Sequence, residues 1–296
     1  MAQEGLARAS ELAVDARRFS VGASAGHRTI VVDGVRLAYD DDGEGAPIIG
    51  LHATAHGSRD FELVRPLLQR GHRVITLDWP GHGRSSADRK SFSARRCEEL
   101  LAGFYDALGI DRATLIGCSI GGAAALRYAV AHPSRVRSVV ACNPGGLAEI
   151  DRVSRVFCKA MAAVGRAGQR GSWWFSPVFA HFCKQVLPSA RASEQRARIV
   201  EQGAACGRVL DEAWRSFADG DADIRGLASG LEVPVLFAWA ARDRIVALAA
   251  SRAAIARVPR HELVTFDAGH CAFLETPGAF GQAFEDFERR LSVEAG

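Results

Sequence analysis

The sequence predicts an α/β fold in which a mostly parallel sheet of about eight strands is flanked by helices and carries a helical lid. Three observations support this prediction. Short apolar runs rich in β-branched residues alternate with segments long enough for crossover helices. The alternation breaks between residues 143 and 230, where apolar residues recur at helical spacing. The 296-residue chain is 48% hydrophobic and 24% charged, a globular balance that excludes disordered and fibrous proteins.

The first two predicted strands, residues 29–32 and 35–39, form a hairpin. They flank Asp33-Gly34, a dipeptide that accepts the positive φ angles of a two-residue turn. The next strands are expected to be parallel, because segments such as the helix predicted at 94–108 are long enough for crossovers. These predicted strands are residues 47–51, 73–77, 113–117, 136–141, 233–239 and 261–266, and an amphipathic helix at 277–291 closes the chain.

The predicted domain organisation has three parts. Residues 28–143 and 231–296 form the sheet-containing core, and residues 144–230 form the helical lid. A helical block between two strands is expected to cover the strand ends, where open α/β sheets bind ligands. Residues 1–27 are expected to be a tail or helix, since they mix charges and lack the apolar stretch of a secretory signal.

Composition excludes several classes of partner. The net charge is only +3, and no basic run is interleaved with aromatic residues, so no nucleic-acid partner is predicted. Seven widely spaced cysteines without a C-x-x-C pair predict neither a disulfide framework nor a structural zinc site. Nothing approaches the roughly 18 apolar residues of a membrane span. We expect a cytoplasmic protein that acts on a small molecule, and its oligomeric state is not predicted.

Residues 117–122, Gly-Cys-Ser-Ile-Gly-Gly, contain a G-x-S-x-G motif between a predicted strand and an Ala-rich helix. In this context a sharp turn between small residues raises the serine hydroxyl to the top of the sheet, which makes Ser119 a candidate nucleophile. A tight glycine turn without catalytic meaning is the alternative interpretation.

A serine nucleophile needs a base and an acid that orients the base, in the chain order Ser, acid, His. Asp243 follows the predicted strand at 233–239, and His270 follows the strand that ends at Phe266. Both therefore lie at the strand ends where Ser119 is expected. Alternatively, Asp243 is a loop residue or helix cap and His270 is one of nine scattered histidines. The ordered set of three favours a catalytic triad.

With these motifs, about residues 28–292 resemble the α/β-hydrolase fold superfamily, in its lidded serine esterase-like branch. Residues 78–85, Asp-Trp-Pro-Gly-His-Gly-Arg-Ser, resemble the family's D-x-x-G-x-G-x-S loop, which implies a structural role. The family's alternative acid position is occupied by Asn143, which favours Asp243. Family members that dehalogenate or open epoxides place aspartate at the elbow, so Ser119 implies acyl chemistry.

The same resemblance implies an oxyanion hole. Leu51-His52-Ala53-Thr54 occupies the place of the family's His-Gly-x, so the backbone N–H groups of Thr54 and Ile120 are the implied donors. Ala53 replaces the usual glycine. If that position requires a positive φ, the alanine is strained and Ala53 could present the donor instead.

The predicted lid has an unusual composition, because residues 152–193 contain seven basic side chains, no acidic one and six aromatics. Either the aromatics pack onto the core while the basic groups face water, or they form a pocket for an aromatic or acyl group with a cationic site. Docking to a membrane surface or partner protein is a third interpretation. The candidate substrate contacts are Ala53, Trp173, Trp174 and Phe179. A basic lid predicts a preference for anionic or aromatic acyl substrates.

The resemblance implies a cofactor-independent serine hydrolase that cleaves a carboxylic ester through an acyl-enzyme. Carbon–carbon bond hydrolysis of a dioxo acid, acyl transfer, and ligand binding by a receptor of the same fold are the open alternatives. The sequence has no P-loop or complete G-x-G-x-x-G, so no nucleotide cofactor is predicted. No metal is predicted either, because His52 and His56 lack the Glu of H-E-x-x-H.

Overall fold

An eight-stranded sheet lies at the centre of the fold. Its strands are β1 (Arg28–Val32), β2 (Val35–Asp42), β3 (Ala46–Leu51), β4 (His72–Leu77), β5 (Ala113–Cys118), β6 (Val136–Cys142), β7 (Val235–Ala240) and β8 (His261–Phe266). They are ordered β1-β2-β4-β3-β5-β6-β7-β8 across the sheet. The computed structural model describes residues 27–220 and 222–295, so the predicted tail at 1–27 lies, apart from its last residue, outside the described residues.

The chain enters the sheet through the predicted hairpin. β1 and β2 are antiparallel, and Asp33 and Gly34 at the turn have φ angles of 48° and 77°. β2 is also antiparallel to β4, whereas all pairings among β3 to β8 are parallel. The predicted α/β fold with a mostly parallel sheet is therefore confirmed. β7 begins two residues later than predicted, after Pro234, which has no N–H for a sheet ladder.

Helices follow the strands along the chain. They are α1 (Arg65–Leu68), α2 (Ala94–Leu108), α3 (Ile120–Ala131), α4 (Arg152–Gln169), α5 (Phe175–Val186), α6 (Ser193–Gln202), α7 (Gly207–Ala218), α8 (Leu248–Ile255), α9 (Ala272–Glu275) and α10 (Pro277–Ala295). α2 has the predicted bounds because both ends are capped. The Ser93 side chain accepts a hydrogen bond from the N–H of Arg96, and Gly109 ends the helix with a φ of 62°.

Four of these helices, α4 to α7, lie between β6 and β7, and the described residues of this stretch contain no strand. We call residues 144–230 the helical insertion. α4 begins at the cap Asp151, whose carboxylate accepts a hydrogen bond from the N–H of Ser154. α4 and α7 approach closely at two glycines, because a Cβ on Gly165 would lie 2.9 Å from the carbonyl oxygen of Gly207. These helices therefore form one packed unit over the strand ends.

Two apolar strands inside the sheet and all seven cysteines are buried. The strands β5 and β7 are buried along their whole length, as expected for strands covered on both faces. All seven cysteines are buried and free. Within the described ranges, no helix is both long enough and apolar enough to cross a membrane.

Candidate active site

Ser119 lies in the turn between β5 and α3, and its backbone is in the left-handed region with a φ of 55°. The turn is tight: a Cβ on Gly117 would lie 2.5 Å from the carbonyl oxygen of Gly121, and one on Gly121 would collide with the carbonyl of Leu51. Left-handed backbone costs a serine about 1–3 kcal/mol, and such strain persists mainly at functional sites. The turn therefore has the geometry of a nucleophile elbow.

Asp243 follows β7, and its carboxylate accepts hydrogen bonds at both oxygens. Oδ1 accepts from the backbone N–H groups of Ile245 (2.7 Å) and Val246 (3.1 Å). Oδ2 accepts from Asn143 Nδ2 (2.6 Å) and from His270 Nδ1 (2.7 Å). The side chain is only 1% exposed. These bonds compensate the loss of water around a buried carboxylate and fix its orientation toward the imidazole.

Asn143, which cannot act as the acid, forms hydrogen bonds that hold the acid Asp243 in place. Its Oδ1 accepts a hydrogen bond from the N–H of Ala240 (2.7 Å) while its Nδ2 donates to Asp243. It is fully buried and has a φ of 41°, a conformation that asparagine tolerates better than most residues. Asn143 thus ties the end of β6 to β7 and to the acid. The sequence contains no pattern that predicts this role.

Replacing Asn143 with glycine is expected to lower the free energy of unfolding by about 1–3 kcal/mol. Glycine adopts a φ of 41° without strain, so the loss includes the hydrogen bonds to Ala240 and Asp243 but no backbone strain. Chemical denaturation of the two proteins measures the difference. Asn143→Ala, which adds backbone strain, is expected to be less stable than Asn143→Gly, and equal stability of Asn143→Gly and wild type would contradict this role.

His270 lies in the loop after β8 and is fully buried against Asp243. Burial lowers the pKa of this imidazole, but the charge of Asp243, followed by contributions from Cys118 and Glu275, outweighs it and raises the pKa of His270 to about 9. Because Nδ1 faces a carboxylate oxygen, it carries a proton, and the neutral ring therefore has its lone pair on Nε2. This is the tautomer that a general base needs.

Glu275 fixes the loop that carries His270. Its Oε1 accepts hydrogen bonds from the N–H groups of Gly269 (2.7 Å) and His270 (3.2 Å), and its Oε2 accepts from the N–H of Ser189 in the helical insertion (3.1 Å). The residue is 2% exposed. Glu275 therefore connects the insertion to the histidine loop. Sequence reasoning missed it, since a carboxylate five residues after a histidine matches no motif.

Ser119 and His270 line one cavity of about 360 Å³. The helical insertion supplies most of its wall, in large part from α4, α5 and α7, so the cavity lies between the insertion and the strand ends. The wall is largely apolar and, besides histidine, contains five aromatic side chains: Phe157, Phe179, Phe182, Trp214 and Phe217. An apolar cavity with a few polar groups suits a small organic substrate.

The predicted substrate contacts divide into two groups. Ala53 and Phe179 line the cavity. Trp173 and Trp174 do not, and this corrects the expectation for both. They precede α5, whose inward face carries Phe179, Cys183 and Val186, so they lie in the turn between α4 and α5. Trp173 is 88% exposed.

The loop after β3 contains the implied oxyanion donors. Thr54 lines the cavity, and none of the described residues accepts a hydrogen bond from its N–H. The N–H of Ile120 lies at the start of α3, where helical amides have no intrahelical acceptor. The strained alanine is not Ala53 but Ala55, with a φ of 63°, and the N–H of Ala55 donates to His82 Nε2 (2.9 Å). The oxyanion role itself stays a prediction.

His52 and His82 support this loop. His52 Nδ1 donates to the carbonyl of Ala53 (2.7 Å), and its Nε2 accepts from the N–H of Trp79 (2.9 Å). His82 is used in the same way, between the carbonyl of Pro80 and the N–H of Ala55. Burial lowers the pKa of each ring to about 3, so both are neutral. Neither ring nitrogen of His52 is available for a metal.

The loop at residues 78–85 also stabilises the segment that follows β3, through hydrogen bonds to Asp78. Asp78 accepts hydrogen bonds from the N–H of Ser58 (2.7 Å) and from the backbone and Nε of Arg84 (3.1 Å each). Gly83, with a φ of 50°, packs so closely on this carboxylate that a Cβ would lie 2.5 Å from it. The loop thereby holds the segment that follows β3 in place.

The basic residues of the helical insertion do not line the cavity. Those at 152, 155, 159, 170, 184 and 191 are exposed, and Arg166 pairs with Asp211 (2.6 Å). Among the described residues, Arg244 from the loop after β7 is the only arginine or lysine that lines the cavity. This arrangement favours the interpretation in which the basic groups of the insertion face water. The preference for anionic substrates stays a prediction.

A mostly parallel α/β sheet with a serine elbow and a His–Asp pair at the same strand ends defines the hydrolase class of fold. A family model described as the α/β hydrolase fold matches residues 46–277, so the chain belongs to the α/β hydrolase fold family. The resemblance inferred from the sequence motifs is therefore confirmed.

Several known proteins are similar to this chain. It is 27% identical over 286 residues to the 2-hydroxy-6-oxo-6-phenylhexa-2,4-dienoate hydrolase of Burkholderia cepacia. This alignment covers 85% of this chain and 91% of the relative. It is 26% identical over 277 residues to the 2-hydroxymuconate semialdehyde hydrolase of Pseudomonas sp. (strain CF600), and this alignment covers 88% of this chain and 93% of the relative. Among solved structures, a thermophilic esterase from Thermogutta terrifontis superposes with a TM-score of 0.76 at 22% identity. The superposition covers 90% of this chain and 99% of the esterase chain. That likeness shows the fold.

Proposed function

We propose that this chain is a cofactor-independent serine hydrolase that cleaves a carboxylic ester through an acyl-enzyme. The observation that carries the proposal is the common cavity of Ser119 and His270, in which the serine sits on a strained elbow and the histidine is oriented by Asp243. Each of these three residues follows the carboxyl end of a parallel strand, which supports a shared role.

In the first half of the reaction, His270 Nε2 takes the proton from the Ser119 hydroxyl as the oxygen attacks the ester carbonyl. The carbonyl oxygen becomes an oxyanion, which the backbone N–H groups of Thr54 and Ile120 stabilise. His270 then gives the proton to the leaving alcohol. An acyl-enzyme on Ser119 remains.

In the second half, a water molecule loses a proton to His270 and attacks the acyl-enzyme. Collapse of the second tetrahedral intermediate releases the carboxylic acid and restores Ser119. Asp243 stays ionised throughout and stabilises the imidazolium that forms in each half. Asn143 and the N–H groups of Ile245 and Val246 keep the carboxylate in place.

The helical insertion is proposed to act as the lid of this site. α4, α5 and α7 contribute the apolar wall, which supports an acyl group of aliphatic or aromatic character as the preferred substrate part. The seven buried free cysteines support a reducing compartment, and we propose a cytoplasmic location.

Hydrolysis of a carbon–carbon bond is the second candidate, and the names of the relatives favour it. The hydrolases of Burkholderia cepacia and Pseudomonas that match most of this chain are named for 2-hydroxy-6-oxo-dienoate and semialdehyde compounds. The same nucleophile would attack a ketone, but the leaving group is then a carbanion that must be protonated. The identity of about one quarter leaves the substrate of this chain a proposal.

Steady-state assays with two substrate types separate these candidates. We expect kcat/KM for 4-nitrophenyl butanoate to exceed that for 2-hydroxy-6-oxo-6-phenylhexa-2,4-dienoate, because the oriented triad suffices for an alcohol leaving group. Faster turnover of the dienoate would favour carbon–carbon hydrolysis. Transfer of the butanoyl group to an added alcohol in preference to water would identify an acyltransferase, and turnover of neither substrate would support a binding protein.

A further inference from the structure

A second buried His–Asp pair, outside the proposed triad, borders the same cavity. His56 Nδ1 lies 2.5 Å from Asp60 Oδ2, and the two side chains are 7% and 5% exposed. His56 lines the cavity together with Ser119 and His270. The proposed reaction uses neither His56 nor Asp60.

His56 differs from the two other buried histidines of this region. His52 and His82 each bond to backbone groups through both ring nitrogens, which accounts for both as structural residues. His56 uses only Nδ1, and no described residue forms a hydrogen bond with its Nε2. A histidine that served only to brace the loop would not need to border the cavity. Its Nε2 is therefore available for contact with a ligand in the cavity.

The pairing with Asp60 fixes what that contact can be. Nδ1 faces a carboxylate oxygen at 2.5 Å and therefore carries the proton. In the tautomer that this pairing selects, Nε2 carries the lone pair and accepts hydrogen bonds. A substrate hydroxyl complements this lone pair, whereas a substrate carboxylate would face both the lone pair and the nearby Asp60 charge.

We propose that His56 is a specificity-determining residue whose Nε2 accepts a hydrogen bond from a hydroxyl group on the acyl part of the substrate. The inference rests on the proposed hydrolysis at Ser119, since it assigns the substrate part to the cavity that Ser119 borders. Thr54, the proposed oxyanion donor two residues before His56 in the same loop, lines the same cavity. The preferred substrate is thus an ester with a hydroxyl close to the scissile carbonyl.

The test compares phenyl esters of butanoic, 2-hydroxybutanoic and 3-hydroxybutanoic acid. For wild type we expect one of the hydroxy esters to have the higher kcat/KM. In His56→Phe the ratio of kcat/KM for that hydroxy ester to kcat/KM for the butanoate is expected to fall at least about tenfold, because a buried acceptor is lost. His181→Phe is the matched control, since His181 is exposed on α5 and does not line the cavity, and it is expected to keep the wild-type ratio.

Asp60→Asn provides a second variant in case His56→Phe does not fold, and thermal unfolding identifies such a failure. An amide can donate to Nδ1 as well as accept from it, so the other tautomer becomes accessible and Nε2 loses its fixed acceptor role. The hydroxy-to-butanoate ratio is expected to fall here too, by a smaller factor. A wild-type ratio of about one, or a ratio unchanged in a folded variant, would overturn the assignment of His56.

If the proposed ester hydrolysis is wrong, the His56 site can still be tested by ligand binding. If wild type turns over none of the three esters, the anilides of the same acids serve as ligands that are not consumed, and calorimetry gives their Kd values. A hydroxyl preference that is present in wild type and lost in His56→Phe supports the His56 site even without turnover. Equal Kd values for the hydroxy and plain anilides in wild type would overturn it.

Discussion

Replacing Ser119 with alanine is expected to lower kcat for ester hydrolysis by about 10⁴-fold or more. The loss is large because no acyl-enzyme can form, and the residual rate comes from the oxyanion donors and substrate binding alone. Alanine and serine have a similar cost at a φ of 55°, so the fold should be retained. Steady-state kinetics with 4-nitrophenyl butanoate, together with thermal unfolding of both proteins, measures the two effects separately.

A covalent probe gives an independent readout of the same residue. A fluorophosphonate is expected to add one phosphonyl group to wild type at Ser119, detected by mass spectrometry of the intact protein and of its peptides. Ser292→Ala is the matched control, because Ser292 is exposed on α10 and its hydroxyl donates to the carbonyl of Glu288. Equal labelling of Ser119→Ala and wild type would rule out Ser119 as the nucleophile.

The parts of the fold that local chemistry determines were predictable from the sequence. The Asp33-Gly34 turn, the capped helix α2 and the apolar strands have the expected positions, since each depends on neighbours along the chain. The candidate triad was also accessible, because parallel strands bring their carboxyl ends to one edge. A motif at one strand end therefore indicates where its partners must follow in the sequence.

Contacts between distant segments were not predictable. Asn143 reaches Asp243 across 100 positions, and Glu275 joins the histidine loop to Ser189 across 86. Neither contact leaves a local pattern. The position of each aromatic in the fold also decides whether it lines the cavity: Phe179 lies on the inward face of α5 and does, whereas Trp173 lies in the turn before α5 and does not. The positive φ occurs at Ala55 and not at Ala53, and the N–H of Ala55 donates to His82, 27 positions away in the sequence.

The pH dependence is the second large expected effect, and its sign follows from the raised pKa of His270. The general base must be neutral, so kcat/KM is expected to rise with pH along an acid limb whose midpoint lies above the ordinary histidine value of 6.5, toward about 9. Stability follows the opposite course. The contribution of the His270–Asp243 pair is fully present below about 6.5 and is lost as the pH rises through about 9.

Asp243→Asn tests both the expected pH dependence of kcat/KM and the expected pH dependence of stability. Removal of the charge leaves burial as the dominant influence on the pKa of His270, so the acid limb is expected to move below 6.5. kcat is nevertheless expected to fall by roughly 10²- to 10⁴-fold, because an amide no longer fixes the tautomer with the lone pair on Nε2. The pH profile of kcat/KM and the unfolding free energy between pH 6 and 10 are measured for both proteins. An acid limb at the same pH in wild type and Asp243→Asn would show that Asp243 does not act through His270.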